Sequence, residues 1–344
     1  MRKVLLFTLE YPPDTGGIAT YLGTLHDGLT DCTVLRPQFW RWWPRWLPAV
    51  WQGAQIIQEK KIQVVTVSHV LPMGIVAFFC RLITGVPYII FFHGLDLLRA
   101  SKNPWKRMLV RIVVRFSETV VANSEYTARL LRDSISPRSL EVITPCISVL
   151  PKEDFELAKT GLVLLSVARL VPRKNHALVI EALDELREEF PTVRYVVIGE
   201  GPYRANLEEL VRIKNLTERV DFLGNVSDSV REEWYRKADI FVLPTWSRGD
   251  DVEGFGIVFL EAASYGMPVV SGRGGGVDEV VENGVTGISV DPASKEELVA
   301  AIRQLLRDAE LRKQLGEAGR SQVKSKFLCD DRKRMIQELY GRKQ

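Results

Sequence analysis

Short apolar runs alternate with amphipathic segments along the whole chain of 344 residues, and this alternation restricts the fold more than any other feature. Runs bounded by Gly and Pro are typical of strands buried on both faces, and the segments between them are typical of the covering helices. The pattern therefore predicts an α/β protein with parallel sheets that carry helices on both faces. The predicted strands lie at 3–9, 63–70, 87–92, 118–123, 162–168, 194–200, 220–224, 239–245 and 268–272.

The pattern is interrupted once, between residues 147 and 161, by a polar segment with Pro and Gly near its ends. A chain of this length suits two domains. We therefore predict an N-terminal domain over 1–150, a linker over 151–161 and a C-terminal domain over 162–320, each doubly wound like a Rossmann fold. Ligands of such folds bind at the carboxyl ends of the strands, so the expected site is a cleft between the two sheets.

Two oily windows have features of membrane segments. The first residues, MRKVLLFTLEYPP, resemble a signal peptide, but Glu10 and Pro12 interrupt the apolar run early, which favours a buried first strand. The window 70–94 carries Arg81 in its middle and a Gly-Val-Pro break near its end. This composition favours a helix, a turn and a strand over a transmembrane span.

The cysteines are scattered and form neither a CxxC pair nor a Cys/His cluster. This spacing predicts reduced thiols in a cytosol, and neither a disulfide framework nor a zinc site. The four residues are Cys32, Cys80, Cys146 and Cys329.

The loop after the first predicted strand, YPPDTGGIATYL at 11–22, has a pair of glycines but lacks the G-x-G-x-x-G spacing. It therefore does not favour a nicotinamide or flavin cofactor. Gly16 and Gly17 still precede a helix start, where small residues let a ligand approach the backbone amides. Tight turns between a strand and a helix also use glycine for purely steric reasons, so both interpretations stay open.

Arg169 and Lys174 fall in a loop between a predicted strand and an amphipathic helix, in the segment SVARLVPRKNHALVIEAL. A guanidinium that binds two oxygens, together with a point-charge ammonium, is the combination expected around a diphosphate. The alternative is a pair of solvated loop cations. The position of the loop at the carboxyl edge of a sheet favours phosphate binding.

The segment DVEGFGIVFLEAASYGMPVV, at 251–270, carries two glutamates that a core helix does not need. Glu253 precedes a helix predicted to begin near Phe255, and Glu261 lies further along that helix. Two acids beside free amides at a positive helix end suit a ligand with hydroxyls and phosphates, such as a nucleotide sugar. The alternative is an acid that stabilises the helix dipole and a second Glu at a helix edge. The amides concerned belong to Gly254, Phe255, Gly256 and Ile257.

Glu253 and Glu261, with seven residues between them that begin Gly-Phe-Gly, resemble the E-x7-E motif of retaining glycosyltransferases of the GT-B fold. They are similar in particular to the large fourth family (glycosyl transferases group 1), which includes phosphatidylinositol mannosyltransferases. The resemblance implies two Rossmann-like domains facing across a cleft, and a C-terminal helix, 321–344, that packs back on the N-terminal domain. Its other elements are PPDTGGI, FHGLD, ANSEYT, ARLVPRKN, VIGEGP, FLGNV, ADIFVLPT and GVTGISVDP, in this order along almost the whole chain.

The resemblance implies a role for each residue that matches a motif. Glu253 would hold the hydroxyls of the donor sugar, Glu261 the ribose diol, and the amides of 254–257 the sugar and phosphate. Arg169 and Lys174 would bind the diphosphate. His93 would lie against the sugar near the anomeric carbon, although a His after an apolar strand is more often structural. Gly16 and Gly17 would contact the phosphates from the other domain, and the loops with Gly199 and Val226 would frame the nucleobase.

Membership of this family would also imply transfer with retention of configuration. Retaining glycosidases use a carboxylate nucleophile, but the resemblance puts His93 nearest that face, which favours front-face substitution. The leaving phosphate would then act as base, and Arg169 and Lys174 would stabilise its charge. The sequence contains no Asp-x-Asp, so no metal ion and no cofactor are expected, and the nucleotide sugar is a substrate.

The N-terminal half is basic, because residues 1–150 contain 17 Lys and Arg against 10 Asp and Glu. It also has five Trp and three Arg within 36–52, and three Arg on one face of a helix predicted near 105–116. This mixture indicates docking on an anionic membrane surface and a lipid or glycan acceptor. The alternative is a helix whose tryptophans pack on the sheet, and no motif indicates nucleic acid. The residues assigned to this surface are Trp40, Arg41, Trp42, Trp43, Arg45, Trp46, Arg107, Arg111 and Arg115.

Three functions remain open at this level. The first is transfer of a hexose, with mannose from GDP-mannose as the favoured donor, to a lipid or lipid-linked acceptor at the inner face of the cytoplasmic membrane. The second is a soluble GT-B enzyme that makes a small glycoside from a UDP-sugar, or a related epimerase or phosphorylase; a phosphorylase would need a pyridoxal-phosphate lysine motif, which the sequence does not show. The third is a non-catalytic subunit that binds a sugar nucleotide, which the full set of motif residues disfavours.

Overall fold

The computed structural model describes residues 1–14, 16–37, 39, 44–151, 161–247 and 252–342. It divides into two compact units. Unit 1 comprises Met1–Ser148 and Cys329–Gln344, and unit 2 comprises Val149–Leu328. The chain therefore passes from unit 1 to unit 2 after Ser148 and returns after Leu328.

Unit 1 is built around a parallel sheet of six strands, in the order β2-β1-β3-β4-β5-β6. Its central strands are fully buried and consist mostly of Val, Leu, Ile and Phe, which pack on helices. The strands are β1 (Val4–Phe7), β2 (Cys32–Leu35), β3 (Val64–Val67), β4 (Tyr88–Phe92), β5 (Thr119–Ala122) and β6 (Leu140–Val142). The helices are α1 (Gly17–His26), α2 (Leu47–Glu59), α3 (Met73–Thr84), α4 (Leu95–Ser101), α5 (Pro104–Arg115), α6 (Glu125–Ser134) and α13 (Cys329–Gly341).

Unit 2 repeats this plan with a second parallel sheet, in the order β12-β11-β10-β7-β8-β9. Its strands are β7 (Val163–Val167), β8 (Arg194–Ile198), β9 (Val220–Gly224), β10 (Ile240–Leu243), β11 (Val269–Gly272) and β12 (Gly287–Val290). Its helices are α7 (His176–Leu186), α8 (Arg204–Ile213), α9 (Asp228–Lys237), α10 (Ile257–Ser264), α11 (Lys295–Arg307) and α12 (Ala309–Lys326).

Each of the nine strands predicted from the sequence contains a strand of the structure, which confirms the α/β class. The prediction missed β2, β6 and β12, and all three lie at an edge of their sheet. The side chains of β2 and β6 are only partly buried. An edge strand packs on fewer neighbours, so its sequence does not need the continuous apolar run on which the prediction depended.

The oily window 70–94 folds as expected into a helix, α3, a turn and a strand, β4. Gly85 ends α3 in the left-handed conformation, with φ 75°, and Pro87 precedes β4. Nowhere in the described ranges is a helix both long and apolar enough to cross a membrane.

The C-terminal segment differs from the single helix expected over 321–344. It forms two helices, since α12 ends at Lys326 within unit 2 and α13 begins at Cys329 within unit 1. Polar contacts hold α13 in unit 1: the buried Tyr340 hydroxyl lies 2.8 Å from Nε2 of His26, and the partly buried Arg332 donates to Oγ1 of Thr144.

The prediction that all thiols are reduced is wrong, because Cys146 and Cys329 form a disulfide. The bond joins the end of the unit 1 chain, just before it enters unit 2, to the first residue of α13. A backbone hydrogen bond from Cys329 N to Ile147 O lies beside it, at 3.2 Å. The two cysteines are 183 residues apart in sequence, so no local spacing could have indicated the pair.

Candidate functional site

The sheet of unit 2 has a topological switch point between β7 and β10. From β7 the chain proceeds outward through β8 and β9, and it then returns to place β10 on the other side of β7. The loops after β7 and β10 therefore leave the same edge of the sheet in opposite directions, and ligands of open α/β sheets bind in the space between such loops. Trp246 N donates to Arg173 O at 2.9 Å and ties the two loops together.

Glu253 lies in the loop after β10, and two cations of the loop after β7 hold its carboxylate. Arg173 donates from Nη1 to Oε2 at 2.6 Å, and Lys174 donates from Nζ to the same Oε2 at 2.5 Å. All three side chains are largely buried. Burial alone would raise the pKa of Glu253, but Lys174 and Arg173 lower the pKa to about 2. The site therefore contains an ionised carboxylate at neutral pH.

The two cations that the sequence assigned to a diphosphate lie in different surroundings. Arg169 is exposed at the carboxyl end of β7. Lys174 is buried against Glu253, so the interpretation as two solvated loop cations is wrong for this residue. It belongs to a turn of 3-10 helix, Pro172–Lys174, that Asn175 ends in the left-handed conformation. This turn directs Lys174 and its neighbour Arg173 toward the loop after β10.

The helix after Glu253 starts two residues later than expected. Gly256 adopts φ 86°, and α10 begins at Ile257. The amide of Ile257 is thus at the helix N-terminus as predicted, whereas Gly254, Phe255 and Gly256 lie in the preceding turn. A left-handed glycine cannot continue the helix backward, which explains the difference.

Two glycines in the loop after β11 contact the backbone of this turn closely. A Cβ on Gly276 would lie 2.0 Å from Gly254 O, and Gly276 N donates to Glu253 O at 2.9 Å. A Cβ on Gly275 would lie 2.6 Å from Glu253 O. These glycines were not among the predicted site residues, although the run GRGGG is a visible signal of close backbone approach.

Glu261 lies one turn into α10, partly buried, with one carboxylate oxygen held by a tyrosine. The hydroxyl of Tyr235, on α9, donates to its Oε2 at 2.7 Å. Tyr235 is buried and stacks on Tyr265 with ring centroids 5.3 Å apart. Tyr235 was not among the predicted site residues, because a lone tyrosine at the end of a helix belongs to no motif.

The two loops predicted to frame a nucleobase lie next to each other. Gly199 N donates to Gly224 O at 2.9 Å, and Val226 follows, partly buried. A Cβ on Gly199 would lie 2.0 Å from Ala168 O, in the loop after β7. The glycine is therefore required for packing between loops, whichever ligand binds there.

In unit 1 the predicted residues lie at the carboxyl edge of the first sheet. Gly16 and Gly17 are both exposed, and Gly17 is the first residue of α1. His93 directly follows β4 and is buried, with its Nε2 2.9 Å from Ser68 O after β3. Burial, and then the neighbouring His69, lower the pKa of His93 to about 3. The ring is therefore neutral at physiological pH.

The predicted membrane residues are only partly described. Trp40, Arg41, Trp42 and Trp43 lie outside the described residues. Arg45 is exposed, but Trp46 stacks on Phe79 with ring centroids 4.8 Å apart, so this tryptophan packs internally. This contact is with helix α3, whereas the alternative placed the tryptophans of the segment on the sheet, and Trp51 of the same segment is 72% exposed.

Helix α5 keeps its predicted basic face exposed, with Arg107, Arg111 and Arg115 in solvent. Beside this face runs an apolar stripe that the sequence analysis had not described. Its members, Trp105, Met108, Leu109, Ile112 and Phe116, are all exposed, and Trp105 reaches 73%. The helix buries a third face, which contains Val110, Val113 and Val114.

Two doubly wound α/β units, with an ionised carboxylate and two cations at the switch point of the second sheet, define a protein of the GT-B architecture. HepE of Anabaena, solved in complex with UDP and glucose, has the same fold: the TM-score is 0.82 at 20% identity, over 98% of this chain and 99% of that chain. Residues 151–322 match the family described as "Glycosyl transferases group 1", and residues 3–149 match "Glycosyltransferase Family 4". The chain belongs to this family of glycosyltransferases.

Two curated relatives show the range of activities among similar proteins. A GDP-mannose-dependent alpha-(1-6)-phosphatidylinositol monomannoside mannosyltransferase of Mycobacterium tuberculosis is 29% identical, over 96% of this chain and 96% of the relative. An N-acetyl-alpha-D-glucosaminyl L-malate synthase of Bacillus anthracis is 24% identical, over 80% and 73% of the two chains.

Proposed function

We propose that the protein transfers a hexose, with mannose from GDP-mannose as the first candidate, to a lipid or lipid-linked acceptor at a membrane surface. The similarity to the phosphatidylinositol monomannoside mannosyltransferase, over nearly the full length of both chains, supports the donor. The proposal of a lipid acceptor rests on helix α5, which exposes one basic face and one apolar face.

The donor would bind at the switch point of unit 2. Its diphosphate carries negative charge, and Arg169 and Lys174 supply positive charge at the end of β7. The ionised Glu253 would accept hydrogen bonds from sugar hydroxyls, and Glu261 from the ribose diol. The α10 N-terminus at Ile257, with the preceding turn from Gly254 to Gly256, would add backbone donors. The loops of Gly199 and Val226 would contact the base.

The reaction would proceed with retention and without a metal ion. The bond from the anomeric carbon to the diphosphate oxygen breaks as the acceptor oxygen bonds to the same face, and the acceptor proton passes to the leaving phosphate. Arg169 and Lys174 would stabilise the charge that develops on that phosphate. In unit 1, Gly16 and Gly17 would add contacts to the phosphates. The neutral ring or the backbone carbonyl of His93 would stabilise the sugar without acting as a nucleophile.

A membrane role for α5 follows from the arrangement of its faces. Around the axis of α5, the arginines and the exposed apolar side chains are centred about a third of a turn apart. Both groups lie on the side of the helix that faces away from its buried valines. Such a helix can lie flat at an interface, with its apolar stripe among the acyl chains and its arginines at anionic headgroups. The proposed location is the inner face of the cytoplasmic membrane. The spacing of the cysteines no longer argues for a cytosol, because two of them form a disulfide.

Donor identity is tested by thermal shift with GDP, GDP-mannose, UDP and UDP-glucose, followed by transfer from radiolabelled donor to lipid extract. The proposal expects stabilisation by the guanine nucleotides and label in the lipid phase. The HepE complex and the malate synthase motivate the second candidate, transfer from a UDP-sugar to a small acceptor. Stabilisation by UDP-glucose alone, with label only in the aqueous phase, would favour that candidate.

Membrane binding is tested by flotation with vesicles that contain anionic lipid. Each arginine near such a surface contributes about 1 kcal/mol. Replacement of Arg107, Arg111 and Arg115 by Gln should therefore weaken binding by about 100-fold. Ile112→Ser should also weaken it, whereas the matched variant Ile213→Ser, at an exposed position of α8, should not. Absence of wild-type binding to anionic vesicles would contradict the proposed location.

A further inference from the structure

Two adjacent cations hold one oxygen of Glu253. The distances from Arg173 Nη1 and Lys174 Nζ to Oε2 are 2.6 Å and 2.5 Å. Within the described ranges the other oxygen, Oε1, accepts no hydrogen bond. The arrangement thus occupies one side of the carboxylate with charge-assisted bonds and leaves one oxygen for another donor.

We infer that Arg173 is a positioning residue that keeps the Glu253 carboxylate oriented toward the donor sugar while Lys174 turns to the diphosphate. This inference rests on the proposed function, because it assigns Glu253 to the sugar. It concerns a residue that neither the sequence motif nor the family resemblance assigned.

The reason lies in the cost of a buried charge. A carboxylate that loses its only cation in a buried site becomes strongly unfavourable and takes up a proton. If Lys174 alone compensated Glu253, binding of a diphosphate would compete for that cation. Arg173 removes this conflict, because its guanidinium stays charged and its bond to Oε2 persists when Lys174 moves.

The backbone fixes Arg173 for this task. Its carbonyl accepts from Trp246 N at 2.9 Å, and Trp246 belongs to the same loop as Glu253. The pair therefore forms between two loops that a hydrogen bond already joins. A purely structural role, in which the ion pair only fastens the loops, predicts a loss of stability and no selectivity among ligands. The two roles differ in what a binding assay measures.

The experiment compares calorimetric affinities for GDP, which lacks the sugar, and for GDP-mannose. Arg173→Met should weaken GDP-mannose about tenfold and change GDP by less than twofold. Lys174→Met should weaken both ligands, because Lys174 contacts the phosphates. Arg173→Lys should recover most of the affinity for GDP-mannose. The matched control is Arg194→Met, which removes an exposed pair with Asp221 in the same unit and should change neither affinity.

A pH series provides a second measurement. In the wild type, affinity for GDP-mannose should stay constant between pH 7 and pH 5, because Glu253 remains ionised. In Arg173→Met the carboxylate has lost a cation, so affinity should fall as the pH drops through this range. A structural role would not produce this difference, and both readouts should agree.

Two results would overturn the inference alone: an equal loss of GDP and GDP-mannose affinity in Arg173→Met, or no loss of either. If the wild type binds neither these ligands nor UDP and UDP-glucose, the proposed function fails and the inference fails with it. A binding wild type with a non-selective Arg173→Met leaves the proposed function standing. If Arg173→Met does not fold, Arg173→Lys carries the test, and it must retain the preference for the sugar nucleotide.

Discussion

Reduction of the Cys146–Cys329 disulfide should destabilise the protein markedly. The bond closes a ring across a separation of 183 residues, and that ring contains the whole of unit 2. Loop-closure entropy for a ring of this length corresponds to about 5 kcal/mol of stabilisation at 25 °C. This value applies when both units unfold together, because a folded unit 2 would shorten the flexible part of the ring. The expected loss therefore lies between about 2 and 5 kcal/mol.

The assay is thermal unfolding followed by circular dichroism, with and without a phosphine reductant. For the unfolding of a chain of this length, a loss of this size should lower the midpoint by roughly 3 to 7 °C. Thiols titrated in denaturant should number two before reduction and four after it, since Cys32 and Cys80 are free.

Two variants control for other effects of the reductant. Cys146→Ser should start at the lower midpoint and should not respond to reductant. Cys32→Ser keeps the disulfide, so its midpoint should still shift on reduction. Four titratable thiols in the unreduced protein, or an unchanged midpoint after complete reduction, would refute the reasoning.

Three further predictions concern the buried groups and the site. Burial lowers the pKa values of His26, His93 and His176 to about 4, 3 and 3. Below pH 6.5 the unfolded chain binds more protons than the folded protein, so the free energy of unfolding should fall as the pH drops toward 4. The expected loss is about 2 kcal/mol per histidine at pH 5. Urea unfolding at pH 7 and pH 5 measures this loss, and equal urea midpoints would contradict it. Gly276→Ala should destabilise unit 2 by about 1–3 kcal/mol, because its Cβ would meet Gly254 O, and an unchanged urea midpoint would argue against this contact. Arg169→Ala should lower turnover by about 100-fold with a smaller change in KM, and normal turnover would remove its role at the leaving phosphate.

The strands show how far periodicity reaches. A central strand is buried on both faces, so the runs of the eight central strands were visible without any knowledge of their partners, as was the run of the edge strand β9. The edge strands β2 and β6 were not visible, because an edge position tolerates partly exposed side chains. The edge strand β12 was missed as well, although its side chains are mostly buried. A similar limit applies to α10, where the sequence placed the helix correctly but the left-handed Gly256 determined its first residue.

The sequence indicated which residues to expect in the candidate site, but it did not indicate which of them contact each other. Glu253, Lys174 and Arg169 were all named from motifs, but the partner of Glu253 beside Lys174 is Arg173. The contact between Arg173 and Glu253 depends on the 3-10 turn at Pro172–Lys174 and on the hydrogen bond from Trp246, and neither feature has a signal in the sequence. Likewise, the hydroxyl that holds Glu261 comes from α9, 26 residues earlier in the chain.

The sequence by itself determined the α/β class, the two-part organisation and the family, because these follow from local periodicity and from short motifs in a fixed order. The tertiary structure alone decided which distant residues meet. Strand order places β10 beside β7 and so brings Glu253 to cations 79 and 80 residues away. The return of the chain to unit 1 brings Cys329 to Cys146. Contacts of this kind depend on how sheets and helices assemble in space, and no local segment contains that information.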